Sequence, residues 1–297
     1  MNWVITLEGI YLIDKKSGMT SFDVIRILKK KLNVQKIGHT GTLDPFATGL
    51  LIILTGRTTK LSDYLLNDDK TYIGEITFGI STDTYDLEGN IVDKLDNFNI
   101  READLNKAFK ALNGQITQIP PIYSAIKVDG KKLYEYARAN NPIEIMPREV
   151  NVMEFKPTST LIDNKISFIA SVSKGTYIRS LGFDLGSKLE IPSHLSSLRR
   201  IRSGKFTIDK TYDLDTIDET TKPSISLIDF ATSLDRVTIK PYLEKLVMNG
   251  VYLDSRQTSL TTLFSVYTED NRLLAIYTPY EDKYKPLIIL GDWHESI

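Results

Sequence analysis

Cysteine is absent from the 297 residues, which excludes disulfides, thiolate metal sites and cysteine nucleophiles together. Histidine is nearly absent, with 3 residues at positions 39, 194 and 294. Only His39 has a loop carboxylate close by, Asp44, so a zinc site would have to gather ligands from far apart in the chain. No apolar run approaches the ~18 to 20 residues that span a bilayer. The stretch "MNWVITLEGIYLIDKK" has no basic start ahead of its apolar residues, and no small-residue cleavage site follows, so no signal peptide is expected. G-x-S-x-G is missing, as is G-x-G-x-x-G between a strand and a helix. "GRTTK" at 56–60 fails as a phosphate loop, because the preceding glycine, Gly49, lies too far back and arginine replaces the lysine. A cytoplasmic protein is expected, without nucleotide hydrolysis or serine nucleophile.

The apolar and charged fractions, 41% and 25%, are those of a globular chain. Its length suits about two domains, or one large domain with a small appendage. A net charge of −1 argues against a general polyanion binder, but the charge is segregated. Residues 1–60 carry nine Lys/Arg against four Asp/Glu, and 169–210 carry eight against three. Between them, 63–104 holds three bases against eleven acids. Two basic stretches can fold into one basic face, the footprint of a phosphate backbone, or can be spread around the surface.

Gly9 to Lys15 reads as a strand. "TSFDVIRILKKKL" follows as a helix with a Thr20/Asp23 capping box and Phe22, Ile25, Leu28 and Leu32 on one face. The continuous apolar run Leu50 to Leu54 suits a fully buried strand. "TYIGEITFG" alternates as a half-buried strand with Tyr72, Gly74, Ile76 and Phe78 on one side. "READLNKAFKALNG" is a helix with Gly114 near its end. Ile122 to Lys127 is expected as a strand, with a "VDGKK" turn and a short helix "KLYEYARAN" after it. "NKISFIASVSKG" and "LRRIRSGKFTI" read as strands on either side of the helix "TYIRSLGFDLGSKL". Strands and helices mix without regular βα alternation, which predicts an α+β layer fold. An acidic connector precedes short strand signals from about Arg236 onward, so the expected domains are 1–235 and a small β-rich unit at 236–297.

One carboxylate stands out by its neighbourhood. In "GHTGTLDPFATGLLIILTG", Asp44 lies between Leu43 and Pro45, where proline fixes the turn, and glycines at 38, 41 and 49 permit close backbone approach to a ligand. Taken alone, an Asp-Pro pair more often caps a turn. "SKGTYIRSLGFDLG" sets Lys174 and Arg179 beside Tyr177 at a strand-to-helix junction. That is either a structural tyrosine with a solvated arginine, or the aromatic-plus-base pairing that a flipped nucleobase and its phosphates require.

Five blocks in order, "GHTGTLDPFATGLL", "DKTYIGEITFGISTDTYDLEGNIV", "IPPIYSAIKVDGKKLYEYAR", "SKGTYIRSLGFDLG" and "SSLRRIRSG", resemble the TruB family of tRNA pseudouridine synthases from Gly9 to about Lys205. The resemblance implies a mixed, mostly antiparallel sheet flanked by helices, and a small C-terminal PUA-like domain. It implies conversion of uridine 55 in the tRNA T loop to pseudouridine by base flipping, with no cofactor or metal, in a monomer whose partner is the T arm and no other protein. Asp44 matches the family's essential aspartate, as nucleophile or as base in a glycal route. Arg179 matches the arginine that pairs with it, the cation a carboxylate needs to stay ionised in a pocket closed by RNA. Tyr72 matches the tyrosine that stacks on the flipped base, although its place on the apolar face of a strand equally fits core packing. Tyr177 and Leu198 match residues lining the uridine pocket, His39 the histidine that pushes into the T loop, and Lys15 a basic residue at the cleft edge, substrate-facing or solvated. Residues 120–148 match the insertion that closes over the T arm and is expected to move without RNA. "DKKSG" departs from the family's D-K-P-x-G by carrying Lys16 where proline is usual. The same surfaces would also serve a tRNA-binding or folding protein with secondary catalysis, or a synthase for another RNA.

Overall fold

The computed structural model describes residues 7–124, 126–139, 141 and 143–294. Its main sheet runs, in spatial order, Tyr212–Asp213, Gly9–Lys15, Thr48–Thr55, Ser193–Ser203, Lys70–Phe78, Lys165–Val172, Arg148–Pro157 and Gly114–Gln118. Ile37–Thr40, Phe206–Thr207 and Ile225–Ser226 pair off this path. Neighbours are antiparallel except at two places: Tyr212–Asp213 beside Gly9–Lys15, and Thr48–Thr55 beside Ser193–Ser203. The sheet is therefore mixed and mostly antiparallel, as expected for the α+β class.

Its centre is buried on both faces, which explains the unbroken apolar run. Leu51 and Ile53, with Tyr11 and Ile13, face a core shared with helices Ser21–Lys31, Glu102–Ala111 and Ile178–Leu189. Leu50, Ile52 and Leu54, with Ile10 and Leu12, face a second core completed by Leu61, Phe206, Phe230 and, from the C-terminal part, Leu273, Ile276 and Ile288. Strand Lys70–Phe78, between Ser193–Ser203 and Lys165–Val172, has one face better covered than the other. There Ile76 and Phe78 are buried while Ile73 is exposed, giving the alternation seen in the sequence.

A second sheet of four strands, Asp235–Thr238, Phe264–Tyr267, Arg272–Tyr280 and Lys283–His294, begins one residue before the expected boundary at 236. With helix Pro241–Met248 it encloses its own core of Val237, Val247, Phe264 and Tyr277. Arg57 bridges the two units by donating to the carbonyls of Ile289 (3.1 Å) and Leu290 (3.2 Å). Residues 295–297 of the expected small domain lie outside the described residues. Among the described residues no helix is long and apolar enough to cross a membrane.

Several local expectations need correction. In helix Ser21–Lys31 the buried face is Ser21, Val24 and Leu28, continued by Leu32, while Phe22 is 70% exposed. The capping box at Thr20 forms as expected, but Ser21 is drawn inward because its hydroxyl binds the backbone of Leu43, and this sets the rotation of the helix. Ile122 to Ser124 bends, and strand pairing is confined to Lys127–Val128 with Lys131–Lys132; the Tyr123 carbonyl accepts from a side chain instead of a ladder. The helix after that hairpin spans Leu133–Arg138; Ala125, Asn140 and Pro142 of this region lie outside the described residues. Gly114, at φ 89°, opens a strand instead of closing a helix.

The parallel junction between Thr48–Thr55 and Ser193–Ser203 depends on Gly49. Its φ is 100°, and a Cβ there would stand 2.4 Å from the Arg200 carbonyl oxygen and 2.9 Å from its nitrogen. Gly49→Ala therefore adds left-handed strain to a backbone clash, and its urea midpoint should fall by the equivalent of about 3 kcal/mol.

Candidate active site

The loop between Ile37–Thr40 and Thr48–Thr55 carries Asp44, and its backbone is fastened almost residue by residue. Leu43 donates to the Ser21 hydroxyl (2.9 Å) and accepts from it (3.2 Å). The Asp44 carbonyl accepts from Ala47 N at 3.1 Å, closing the turn that Pro45 preorganises. The Pro45 carbonyl accepts from Gly18 N (2.9 Å) and from the Lys15 ammonium (3.0 Å). Arg200, 1% exposed, spans the loop's two ends by donating to the carbonyls of Leu50 (2.7 Å) and Gly41 (3.3 Å).

Asp44 presents its carboxylate to Arg179, in the first turn of helix Ile178–Leu189. Nη2 donates to Oδ1 at 3.1 Å, while Nε lies 2.9 Å from Oδ2 as an ion pair whose N–H is not aligned for a hydrogen bond. The arginine side chain is 5% exposed and the aspartate 33%, so the carboxylate alone offers a face to a ligand. The guanidinium also donates to the carbonyls of Thr84 (3.0 Å) and Tyr123 (2.9 Å), and its Nη1 lies 3.4 Å from Asp86 Oδ2. Its fork is thus locked on all sides. The helix start is held without a capping side chain of its own: Gln118 accepts from Tyr177 N (2.8 Å) and donates to Tyr177 O (3.1 Å).

The other expected residues divide. Tyr177 occupies the N-cap position of the same helix, and its phenol is pushed up by burial, against the Ser124 hydroxyl and the Arg148 and Arg179 charges, with the Asp44 charge adding to the rise. Tyr72 and Leu198 are diagonal neighbours on one face of adjacent strands, since Tyr72 pairs with Arg200 and Gly74 with Leu198. Both are buried in the apolar cluster that includes Leu43 and Phe46 on either side of Asp44-Pro45. His39 stands on the strand before the loop, opposite Ile53, and its ring is pushed towards the neutral form by burial and by the Arg200 charge. Lys15 is not at the cleft edge. It is 0% exposed, and its ammonium donates to Lys16 O (3.0 Å), Met19 O (2.6 Å) and Pro45 O (3.0 Å), so it supports the loop from beneath instead of facing substrate or solvent. Burial pushes it down to about 8, against the opposing charges of Asp44 and Glu88.

Three residues of this site escaped sequence reasoning. Asp86 is raised by burial, against the Thr84 hydroxyl bond and the Arg179 charge that favour its ionised form. It sits in the acid-rich stretch, where only its burial sets it apart from Asp83. Gln118 carried no local signal, and Arg200 was one base among several in "SSLRRIRSG". Among the described residues no group of three or more His, Asp or Glu is placed to hold a metal ion.

Comparison with known proteins gives the family. The family model described as TruB family pseudouridylate synthase (N terminal domain) matches residues 29–178, about half of the chain, and its match includes Asp44. The tRNA pseudouridine synthase B of Acholeplasma laidlawii is 41% identical over 282 residues, 94% of this chain and 98% of that protein. The same enzyme of Bacillus subtilis is 39% identical over 295 residues, 93% and 94% of the two chains. Among solved structures, a chain of the archaeal box H/ACA sRNP Nop10-Cbf5 complex superposes with a TM-score of 0.65 at 21% identity, covering 97% of this chain and 87% of that one, a likeness of fold. On its sequence matches, and with an α+β fold to suit, this chain belongs to the TruB family of pseudouridylate synthases.

Proposed function

We propose that the chain isomerises uridine 55 in the T loop of tRNA to pseudouridine, with Asp44 as the essential carboxylate. The observation that carries the reading is the asymmetric pair: a partly exposed Asp44 held by an Arg179 that is sealed from water. The reaction breaks the bond from uracil N1 to C1′, turns the base, and joins C5 to C1′; C5 loses its proton and N1 takes one up. Asp44 serves as nucleophile at the sugar or as the base of a glycal route, and in both the facing guanidinium supplies the counter-charge that a water-excluded cleft demands. Because the loop and the arginine are already fastened, little reorganisation is needed as charge shifts.

The target base must leave the T loop, at a cost of a few kcal/mol of unstacking. Tyr72 is read as stacking on it, Tyr177 and Leu198 as lining its pocket, and a neutral His39 as filling the space it leaves. The segment 120–148, with the Lys127–Val128 hairpin and helix Leu133–Arg138, is read as the part that grips the T arm, and the small C-terminal domain as a PUA-like accessory. The enzyme is read as acting in the cytoplasm, alone, and without a cofactor.

Wild-type protein should release tritium from T-arm RNA labelled at C5 of uridine, and Asp44→Asn should release none while binding the same RNA. Release by the variant, or none by wild type with binding intact, would remove the reading. Arg179→Ala should lower kcat by on the order of a hundredfold or more and leave RNA binding nearly unchanged. It should also lose about 3 to 5 kcal/mol in a urea titration, because Asp86 is left buried without its cation. For Lys15 the sign follows from its low value. The ammonium keeps its charge and three N–H donors below about 8, whereas the neutral amine above it has two donors for three carbonyls, so kcat should decline as pH rises through that value. Lys15→Met should abolish that alkaline decline and lower the plateau by about tenfold, as the Pro45 carbonyl loses a donor and the loop shifts; pH profiles of kcat for the two proteins decide it.

A further inference from the structure

The turn that grips Arg179 from the side away from Asp44 contains a residue in an unfavourable conformation. Thr84 supplies a carbonyl to the guanidinium and Asp86 a carboxylate. Between them Tyr85 has φ 62°, the one aromatic among the described non-glycine residues at positive φ. Such a conformation is disfavoured for a bulky side chain and persists only when its surroundings hold it. Bonds within the turn, from Tyr85 N to Thr82 O and from the hydroxyls of Thr82 and Thr84 to Asp86, shape it but do not fasten it to the helix that bears Arg179.

That link is made by a ring. Phe183 stacks on Tyr85 with centroids 4.2 Å apart and planes 21° from parallel. Phe183 lies four residues beyond Arg179 on helix Ile178–Leu189, so the two side chains project from the same face and reach the same turn. One grips its backbone and carboxylate, the other its aromatic ring. On its far side the turn is tied to strand Ser193–Ser203 by Leu195 N donating to Tyr85 O at 3.0 Å. Both rings are only half-buried, so the stack contributes little to the core and its value lies in alignment.

We infer that the Tyr85–Phe183 stack is a positioning device for the reaction: it holds the strained turn against the helix so that Arg179 keeps its alignment with Asp44. The inference rests on the reading of that pair as the reactive centre. The phenol of Tyr85 has Asp184 as its charged neighbour, from the same helix as Phe183.

The test is steady-state kinetics of pseudouridine formation in T-arm RNA, alongside thermal unfolding, for Tyr85→Ala, Phe183→Leu, their double variant and Tyr85→Phe. Phe183→Leu keeps an apolar side chain and removes the stack, so folding is retained. Each single variant should lose about tenfold in kcat at unchanged KM, a misalignment effect. The double variant should lose no more than the worse single, since both remove one contact. Tyr85→Phe should restore wild-type kcat. Wild-type kcat in the single variants, multiplying losses in the double, or Tyr85→Phe as impaired as Tyr85→Ala would each overturn the inference. Activity in Asp44→Asn would instead overturn the reading of the centre, and the two failures are distinguished by which variant shows them.

Discussion

A guanidinium sealed from water has to be answered by partners on every side, and the architecture around Arg179 follows from that requirement. Leaving a buried charge uncompensated costs far more than most single contacts contribute. Here the compensation comes from three separate segments: the Asp44 loop, the turn at 84–86 and the carbonyl at 123. None of these is near another in sequence. The arginine is satisfied only when all of them have arrived, so the chemistry-bearing groups are in register whenever the fold is complete. Burial spares the guanidinium competition from water, while the Asp44 carboxylate keeps one open side.

The neighbouring loop shows the same economy in neutral groups. A carboxylate held against a buried guanidinium needs a backbone that does not yield, and a seven-residue connection between strands is not stiff by itself. Stiffness comes from borrowed donors: a serine hydroxyl from one helix, a buried lysine, a glycine amide and an arginine from the middle of the sheet. Lys16, which stands where the family usually has proline, fits this pattern by pairing with Asp213 (3.2 Å) and Asp215 (2.5 Å), so an ionic tie to the connector stands where ring rigidity is usual. Both partners are well exposed, which makes that tie a weak one.

Most of the fold was legible because its pattern is local. Leu50 to Leu54 announced a strand covered on two sides, and Thr20 with Asp23 announced a helix start; both are present. What stayed hidden was set by partners distant in the chain. Ser21 turns its helix by binding Leu43, which sends Phe22 outward. Strand Arg148–Pro157 was missed because a bulge between Val152 and Glu154 breaks the alternation that would have revealed it. At the site, Asp44 and Arg179 were readable from their motifs, whereas Asp86 looked like one acid among many, and nothing in the chain near Lys15 told that its charge would end among three carbonyls.

The strand that follows Asp44 has one further consequence. Its outward side chains, Leu50, Ile52 and Leu54, are covered by residues of the C-terminal part, and Arg57 reaches into that part's last strand. The small domain is therefore the rear wall of the catalytic sheet as well as an appendage. Cut away, it would leave an oily flank on the strand that follows the Asp44 loop, open to aggregation. Two units that look separable in the chain are thus bound to one fate: whatever loosens the C-terminal part reaches Asp44 through a single strand's thickness.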